Sequence, residues 1–259
     1  MLTHRFKLGS VPIEVHRKNE EGFKWRTNYD RGRITIMDTY AQRAVSPQNY
    51  TKYMWEAVHL VIMDKIVYAN TIDPIFESLQ ASQQVLVSQF MNQLYHYRYL
   101  RDYSNWMFQV AGAEVKVRID EVSTEAANQY AHYQGNLEEV VIATKHRDGE
   151  LYSHEFIVQT IIHELLHCVN LQLGQQQGMW DKEYIVNTVA SFLAEALLSM
   201  EQIDSFEAGS YEVFGKIPNL VIDSELDSMR REKDRLREAD LLKAATSGAY
   251  VSTSNIPTT

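Results

Sequence analysis

The chain carries two histidines and a glutamate in the order His-Glu-Leu-Leu-His, at His163, Glu164 and His167. The surrounding segment, residues 156–173, is apolar at most positions and is predicted to be a buried helix, on which residues four apart share one face. Two imidazoles placed in this way can bind one Zn²⁺ together with a third protein ligand and a water. A neighbouring carboxylate can then take a proton from that water. The motif therefore predicts a catalytic zinc site in which His163 and His167 are ligands and Glu164 is the general base.

The alternative is that both histidines are hydrogen-bonded residues of a helical core. Burying two imidazoles and a carboxylate in an apolar helix is costly unless each of them has a partner. A shared metal ion supplies that partner, so the helix context favours the metal site.

The third ligand is expected from the next helix. Gly174 is predicted to end the motif helix, because glycine is favoured just after a helix C-terminus. A loop over residues 174–178 follows, and a second helix over residues 181–200 is predicted to begin at Asp181 as its N-cap. Glu183, in the first turn of that helix, is the candidate third ligand, and Asn187, one turn further on, is a candidate to orient an imidazole.

Other carboxylates leave the identity of the third ligand open. Glu195 is the main competitor, and Asp181 and Asp204 are weaker candidates. Glu183 can also be explained without a metal, because acidic residues are favourable near helix N-termini.

The order of the motif helix, a short glycine-rich loop and a second helix carrying Glu183 resembles the zincin metallopeptidases in their gluzincin-like form. Small phage and prophage zincins are the most similar group. The resemblance covers residues 110–200, and only the five-residue motif within it is specific. It implies a zinc metallopeptidase with Zn²⁺ bound by His163, His167 and Glu183. The chain departs from larger gluzincins in its shorter interval to Glu183 and in carrying Asn187 where those enzymes often have Asp.

Two strands are predicted before the motif helix. Residues 112–122 alternate apolar and polar side chains, with Val115, Val117 and Ile119 on one face. Residues 136–144 are rich in β-branched residues. The resemblance implies that this second strand lines the cleft and pairs with an extended substrate. The alternative is an interior strand with no free edge.

The region before residue 109 shows a similar order of elements. Aligning Val11, Ile13 and Val15 with Val115, Val117 and Ile119 also aligns His59 with His163, and it aligns Gly32 with Gly135 within a shift of one residue. Leu60 and Met63 then stand where the second copy has Glu164 and His167, so the first copy lacks the base and one ligand.

These observations predict an α+β fold built as a tandem duplication. The expected domains are a degenerate zincin-like unit over residues 1–108, a catalytic unit over 109–203, and a charged helix with a polar tail over 204–259. Convergence of two units with a common order of strands and helices is the alternative.

Composition limits the other possibilities. The chain has 259 residues, a net charge of −9 and a hydrophobic fraction of 45%, which is typical of a globular protein. The negative charge argues against nucleic acid as a partner, so we expect the tyrosine-rich segment 90–108 to serve packing, either in the core or at an interface. No apolar run reaches the length of a membrane span.

The single Cys168 cannot form an internal disulfide, and its expected role is packing. A single cysteine fits a protein of a reducing compartment, so we expect a cytoplasmic location. If the protein is phage-encoded, this would be the host cytoplasm. A single cysteine fits a virion component equally well. The charged helix predicted after residue 203 is a candidate site for a protein partner.

The predicted activity is hydrolysis of a protein or peptide substrate. The oxyanion donor is open among His154, Tyr130, Tyr133 and Tyr184. The alternative function is a structural or assembly protein, of a virion for example, that keeps a zincin fold without turnover.

Overall fold

The computed structural model describes residues 1–9, 11–19, 23–40, 43–67, 74–174 and 182–203, although not the side chains of residues 65–80. The described chain is α+β, as expected, with two small sheets, a two-stranded ribbon and five α-helices. The charged helix predicted after residue 203, Asp181 and Asp204 lie outside the described residues. No helix among the described residues is long and apolar enough to cross a membrane.

The first half of the chain forms a sheet followed by two helices. Its main elements are β1 (Leu2–Leu8), β2 (Val11–Lys18), β3 (Trp25–Asn28), β4 (Arg33–Met37), the short ribbon β5 (Thr39–Tyr40) and β6 (Arg43–Ala44), α1 (Pro47–Val61) and α2 (Pro74–Tyr97). Ser46 caps α1 by accepting a hydrogen bond from the Asn49 N–H, and Pro47 occupies the first helical position, where its missing donor costs nothing.

The second half repeats this order with one additional short helix. Its elements are β7 (Met107–Val110), β8 (Ala113–Ile119), α3 (Glu121–Ala126), β9 (Ala131–Gln134), β10 (Glu139–Ile142), α4 (His154–Gln172), α5 (Glu183–Leu198) and the final strand β11 (Glu201–Gln202). Ser153 caps α4 through the Phe156 N–H, in the same way that Ser46 caps α1.

The two sheets have the same strand topology. The first is ordered β11-β1-β2-β4-β3 and the second β7-β8-β10-β9. In each, the first two strands form an antiparallel hairpin, the second strand runs parallel to the fourth, and the third pairs antiparallel with the fourth. Apart from β11, the order and direction of the strands are identical.

The pairing registers also correspond. Val15 lies opposite Ile34 in the first sheet, and Val117 lies opposite Val140 in the second. The residue just before the fourth strand has a left-handed φ in both halves, 57° at Gly32 and 53° at Glu138. Each half therefore enters its fourth strand through a left-handed residue, which is glycine in one half and a non-glycine residue in the other.

These markers correct the alignment expected from the sequence. The hairpin register matches Ile13 with Val115 rather than Val117, and Gly32 corresponds to Glu138 rather than Gly135. When α1 and α4 are aligned by their capping serines, they are offset by about one helical turn from the alignment expected from the sequence. An offset of one turn leaves the apolar residues on nearly the same face, so the sequence pattern does not reveal it. The residues at the positions of His163, Glu164 and His167 are then Glu56, Ala57 and Leu60.

The two halves are interleaved. The second helix of each half packs on the first strand of the other, α2 against β7 and α5 against β1. The contacts match in detail, because the N–H of Lys7 donates to the Ser199 hydroxyl and the N–H of Gln109 donates to the Gln93 side chain, both at 2.9 Å. Buried residues of both halves form one hydrophobic core.

The predicted elements around the motif are present, with one change of role. The expected strands correspond to β8 and β10, and Gly174 follows α4 with a φ of 70°. The predicted N-cap Asp181 is wrong, because Lys182 is the N-cap of α5 and its side chain makes no capping hydrogen bond. However, β10 lies between β8 and β9, so it is the interior strand of the alternative interpretation and has no free edge. The edge strand beside α4 is β9, which the sequence reasoning did not predict.

The tyrosine-rich segment serves packing, as expected. Phe90, Tyr95, Trp106 and Phe108 are buried in the core. Cys168 is also fully buried and forms no disulfide.

Candidate metal centre

The helix α4 brings the two motif histidines together. His163 and His167 lie one turn apart, and their Nε2 atoms are 3.0 Å from each other. Their side chains keep 14% and 20% of their accessible surface. Both imidazoles therefore point to one place at the surface of the helix, while the helix itself is anchored in the core.

Glu183, the first residue of α5, completes a group of three. One carboxylate oxygen lies 3.3 Å from the His163 Nε2, and the other lies 3.3 Å from the His167 Nε2. The Glu183 side chain is 71% exposed, so the group opens to solvent on this side. Among the described residues, this is the cluster of histidine, cysteine and acidic side chains that could hold a metal ion.

The spacing of these atoms fits a zinc site. Two ligands that each lie about 2.0–2.1 Å from a tetrahedral Zn²⁺ are about 3.3 Å from one another. The three distances in this group, 3.0, 3.3 and 3.3 Å, are close to that value. Two neutral imidazoles and one carboxylate are also the donor set of many catalytic zinc sites.

Glu164 directly follows His163 in the chain and lies close enough to the group to feel the charges of His167 and Glu183. It is 7% exposed, and burial raises the pKa of its carboxyl to about 7. The nearby His167 lowers that pKa, the Glu183 carboxylate raises it, and a hydrogen bond from the Tyr133 backbone N–H lowers it. Glu164 is therefore a carboxyl whose proton exchanges near neutral pH, which suits a general base.

Tyr133 connects the edge strand to α4 in two ways. Its backbone N–H holds the Glu164 carboxyl, and its hydroxyl hydrogen-bonds with the Cys168 thiol one turn further along the helix. Burial raises the pKa of both the Tyr133 hydroxyl and the Cys168 thiol. Cys168 thus faces the strand rather than the histidine pair, in agreement with its expected role in packing.

The competing carboxylate Glu195 is engaged far from the motif. Its Oε2 accepts a hydrogen bond of 2.7 Å from the Gly9 N–H, at the turn between β1 and β2. Its position on α5 therefore serves the contact between the two halves. The geometry brings Glu183, and not Glu195, to the histidines.

Asn187 lies one turn after Glu183, as expected, and is exposed. Its backbone carbonyl accepts a hydrogen bond from the Ser191 hydroxyl. No contact between its side chain and an imidazole occurs among the described residues, so its orienting role stays a prediction.

The structure separates the four candidates for the oxyanion donor. His154 bonds to the Tyr103 hydroxyl and the Arg98 carbonyl, and it lies more than two helical turns before His163. The Tyr133 hydroxyl faces Cys168. Tyr130 and Tyr184 are 58% and 64% exposed, and Tyr184 follows Glu183 directly in the chain.

The sequence reasoning missed the part of the site contributed by β9. The stretch Ala131–Gln134 alternates residues facing the core, Ala131 and Tyr133, with His132 and Gln134 on the other face, and Gly135 ends it. This alternation was the available signal, although four residues are few for a prediction.

Comparisons with known proteins identify no relative. A scan against protein-family models found no match, and searches of curated proteins and of solved structures also found none.

Proposed function

We propose that the protein is a zinc-dependent metallopeptidase of the zincin type. The observation that carries this proposal is the convergence of His163, His167 and Glu183, whose ligand atoms lie 3.0–3.3 Å apart beside the buried Glu164. A ligand set with two histidines from one helix and a carboxylate from the next has the composition of a catalytic zinc site.

The metal ligands, the base and the residue that positions the base have separate roles in the proposed hydrolysis. His163, His167 and Glu183 would hold the ion, which when bound supplies an acidified water and polarises a carbonyl oxygen. Glu164 takes the proton from the attacking water and gives it to the leaving amine, a task that favours a pKa near the working pH. The Tyr133 N–H keeps the Glu164 carboxyl in place for both transfers.

A peptide substrate is supported by the position of β9 at the edge of its sheet. The Ala143 N–H donates to the Tyr130 carbonyl, so Tyr130 and Ala143 are a hydrogen-bonded pair. In an antiparallel ladder such pairs alternate with pairs that are not hydrogen-bonded. Ala131 and Tyr133 therefore belong to the pairs that make no hydrogen bond to β10. Their backbone groups face away from the sheet, toward the side where Glu164 lies. An extended peptide can add to such an edge by main-chain hydrogen bonds.

We further propose that the two halves arose by duplication and that only the second kept or acquired the metal ligands. The same strand topology, the matching registers and the matching serine caps support this history. The reciprocal packing of α2 on β7 and α5 on β1 also supports it, because it relates the halves as equivalent partners.

Metal content is the direct test. After dialysis against a weak chelator, elemental analysis should find near-stoichiometric zinc in the wild type and in Glu164→Gln, and almost none in His167→Ala. Glu195→Ala is the matched control on α5 and should retain zinc.

Turnover is tested on denatured proteins, with fragments mapped by mass spectrometry. The zinc-loaded wild type should cleave them and Glu164→Gln should not. Zinc without cleavage would favour a structural or assembly role for the fold, and no zinc in any variant would disprove the metal site.

A further inference from the structure

Three aromatic side chains form a cluster outside the core at one end of the site. The ring centroids of Tyr130, Tyr152 and Phe156 lie 4.7–5.7 Å from one another. Tyr152 packs against the core, whereas Tyr130 is 58% exposed and Phe156 is half-buried. Neither the core nor the proposed chemistry accounts for the solvent-facing parts of these two rings, and exposed aromatic surface next to a cleft is characteristic of binding sites.

The cluster lies on both walls of the proposed cleft. On α4, Phe156 precedes His163 by seven positions, which places it on the same helix face, within about 20°, and about 10 Å along the axis. Tyr130 directly precedes β9 and lies three positions before Tyr133, which in extended chain is also about 10 Å. The rings of Tyr130 and Phe156 are in contact. The α4 side and the β9 side of the proposed cleft therefore meet about 10 Å from His163.

An extended peptide advances about 3.3 Å per residue, so about 10 Å corresponds to three residues. We propose that Tyr130, Tyr152 and Phe156 form a subsite for an aromatic side chain three residues from the bond that is cleaved. This inference rests on the proposed peptidase function. Tyr130 already makes edge-to-face contacts with Tyr152 and Phe156. A further aromatic ring from the substrate can make the same kind of contact, so it should bind here more tightly than an aliphatic side chain.

The direction of β9 determines the side of the substrate. The strand runs from Ala131 toward Gln134, with Tyr130 just before its start and the Glu164 contact at Tyr133. A peptide that adds antiparallel to this strand runs the other way, so its C-terminal part lies over Tyr130. The aromatic residue is therefore the third residue on the C-terminal side of the cleaved bond.

Peptide hydroxamates test the subsite by binding, without any need for turnover. A succinyl hydroxamate followed by Gly-Phe places the phenyl ring at the third position on the C-terminal side, and the Gly-Ala compound is its partner. With zinc-loaded wild type, we expect the Phe compound to bind about tenfold more tightly than the Ala compound. A second pair, Phe-Gly-Gly-hydroxamate and Ala-Gly-Gly-hydroxamate, occupies the N-terminal side of the cleaved bond instead. The Phe and Ala compounds of this second pair should bind equally well.

Variants link the preference to the cluster. Tyr130→Ala should reduce the tenfold preference to less than about twofold, whereas Tyr130→Phe should keep it, since the ring remains. Tyr99→Ala, which removes an exposed tyrosine elsewhere, should leave it unchanged. A preference that survives Tyr130→Ala, or one found only in the second pair, would overturn the assignment. Equal binding of the Phe and Ala compounds would refute the subsite alone, while no binding of any compound would refute the zinc site on which it rests.

Discussion

The first half places Glu56 and Leu60 at the helix positions where the second half carries His163 and His167. At the neighbouring strand, Trp25 occupies the position that Ala131 holds in the second half. The Trp25 indole N–H donates to the Glu56 carboxylate at 3.1 Å, and Glu56 is only 5% exposed. In the first half this place is filled by a packed hydrogen-bonded pair, whereas in the second it is open and lined by possible ligands.

This difference separates the requirements of the fold from those of the site. The same strand order, capping serines and apolar helix face occur in both halves, so they do not depend on the motif residues. A small residue at the strand position and imidazoles on the helix distinguish the second half. The fold alone therefore gives no indication of activity, which must be argued from these few side chains.

Converting the second half toward the first should have the largest effect. His167→Leu introduces the residue of the first half, and it removes one of the three proposed zinc ligands. We expect zinc affinity to fall more than about a thousandfold, measured by competition with a fluorescent chelator. The control His16→Leu, in the first sheet, should bind zinc like the wild type. A loss of less than tenfold would show that His167 is not a ligand.

The next effect concerns Glu164, whose counterpart in the first half is Ala57. Because burial raises the pKa of Glu164 from 4.5 to about 7 in the metal-free protein, the folded state binds a proton more tightly than the unfolded state. The stabilising contribution of Glu164 is then fully present below pH 4.5 and is lost as the pH rises through about 7, and it amounts to at most about 3 kcal/mol.

Urea unfolding of metal-free protein at pH 5 and pH 8 measures this effect. Glu164→Gln should lose less stability between the two pH values than the wild type, whereas the exposed control Glu125→Gln should match the wild type. Identical pH dependence in wild type and Glu164→Gln would contradict a raised pKa.

The two glutamates of α5 should behave oppositely. Glu195→Ala removes the charge-assisted hydrogen bond to Gly9 that joins the halves, and we expect a loss of about 2 kcal/mol in unfolding free energy with zinc affinity unchanged. Glu183→Ala removes an exposed side chain, so metal-free stability should hardly change while zinc binding is lost. Chemical unfolding and zinc titration of both variants check this, and the reverse result would make Glu195 the ligand.

The smallest effect is expected in the first half. Trp25→Phe removes the indole N–H but keeps most of the ring, and we expect a loss of about 1 kcal/mol because the half-buried position admits water to Glu56. A double-mutant cycle with Glu56→Gln isolates the pair. If the two substitutions are fully additive, the hydrogen bond does not hold this pair together.

The motif and its helices were predictable because their signals are local. The residues of the motif, the glycine that follows α4 and the β-branched strand β10 can be read from short stretches of sequence. The edge position of β9 was not predictable from short stretches of sequence, because it depends on which strands pair with one another. In addition, β9 is only four residues long.

The alignment of the halves failed for a related reason. A helix shifted by one turn presents nearly the same apolar face, so His59 and Glu56 could both be matched with His163. Only the capping serines and the pairing registers distinguish them. The choice of Glu183 over Glu195 likewise needed the contact of Glu195 with Gly9, which joins residues distant in sequence.

The pairing of β11 with β1 has a consequence for synthesis of the chain. His4 and Arg5 find their strand partners at Gln202 and Glu201, and Lys7 and Gly9 bond to Ser199 and Glu195 of α5. While the ribosome is still producing the second half, β1 keeps an open edge of unpaired backbone groups, which is a hazard for misassociation. The first half therefore completes its fold only when the second half has emerged, although it is the first to be made.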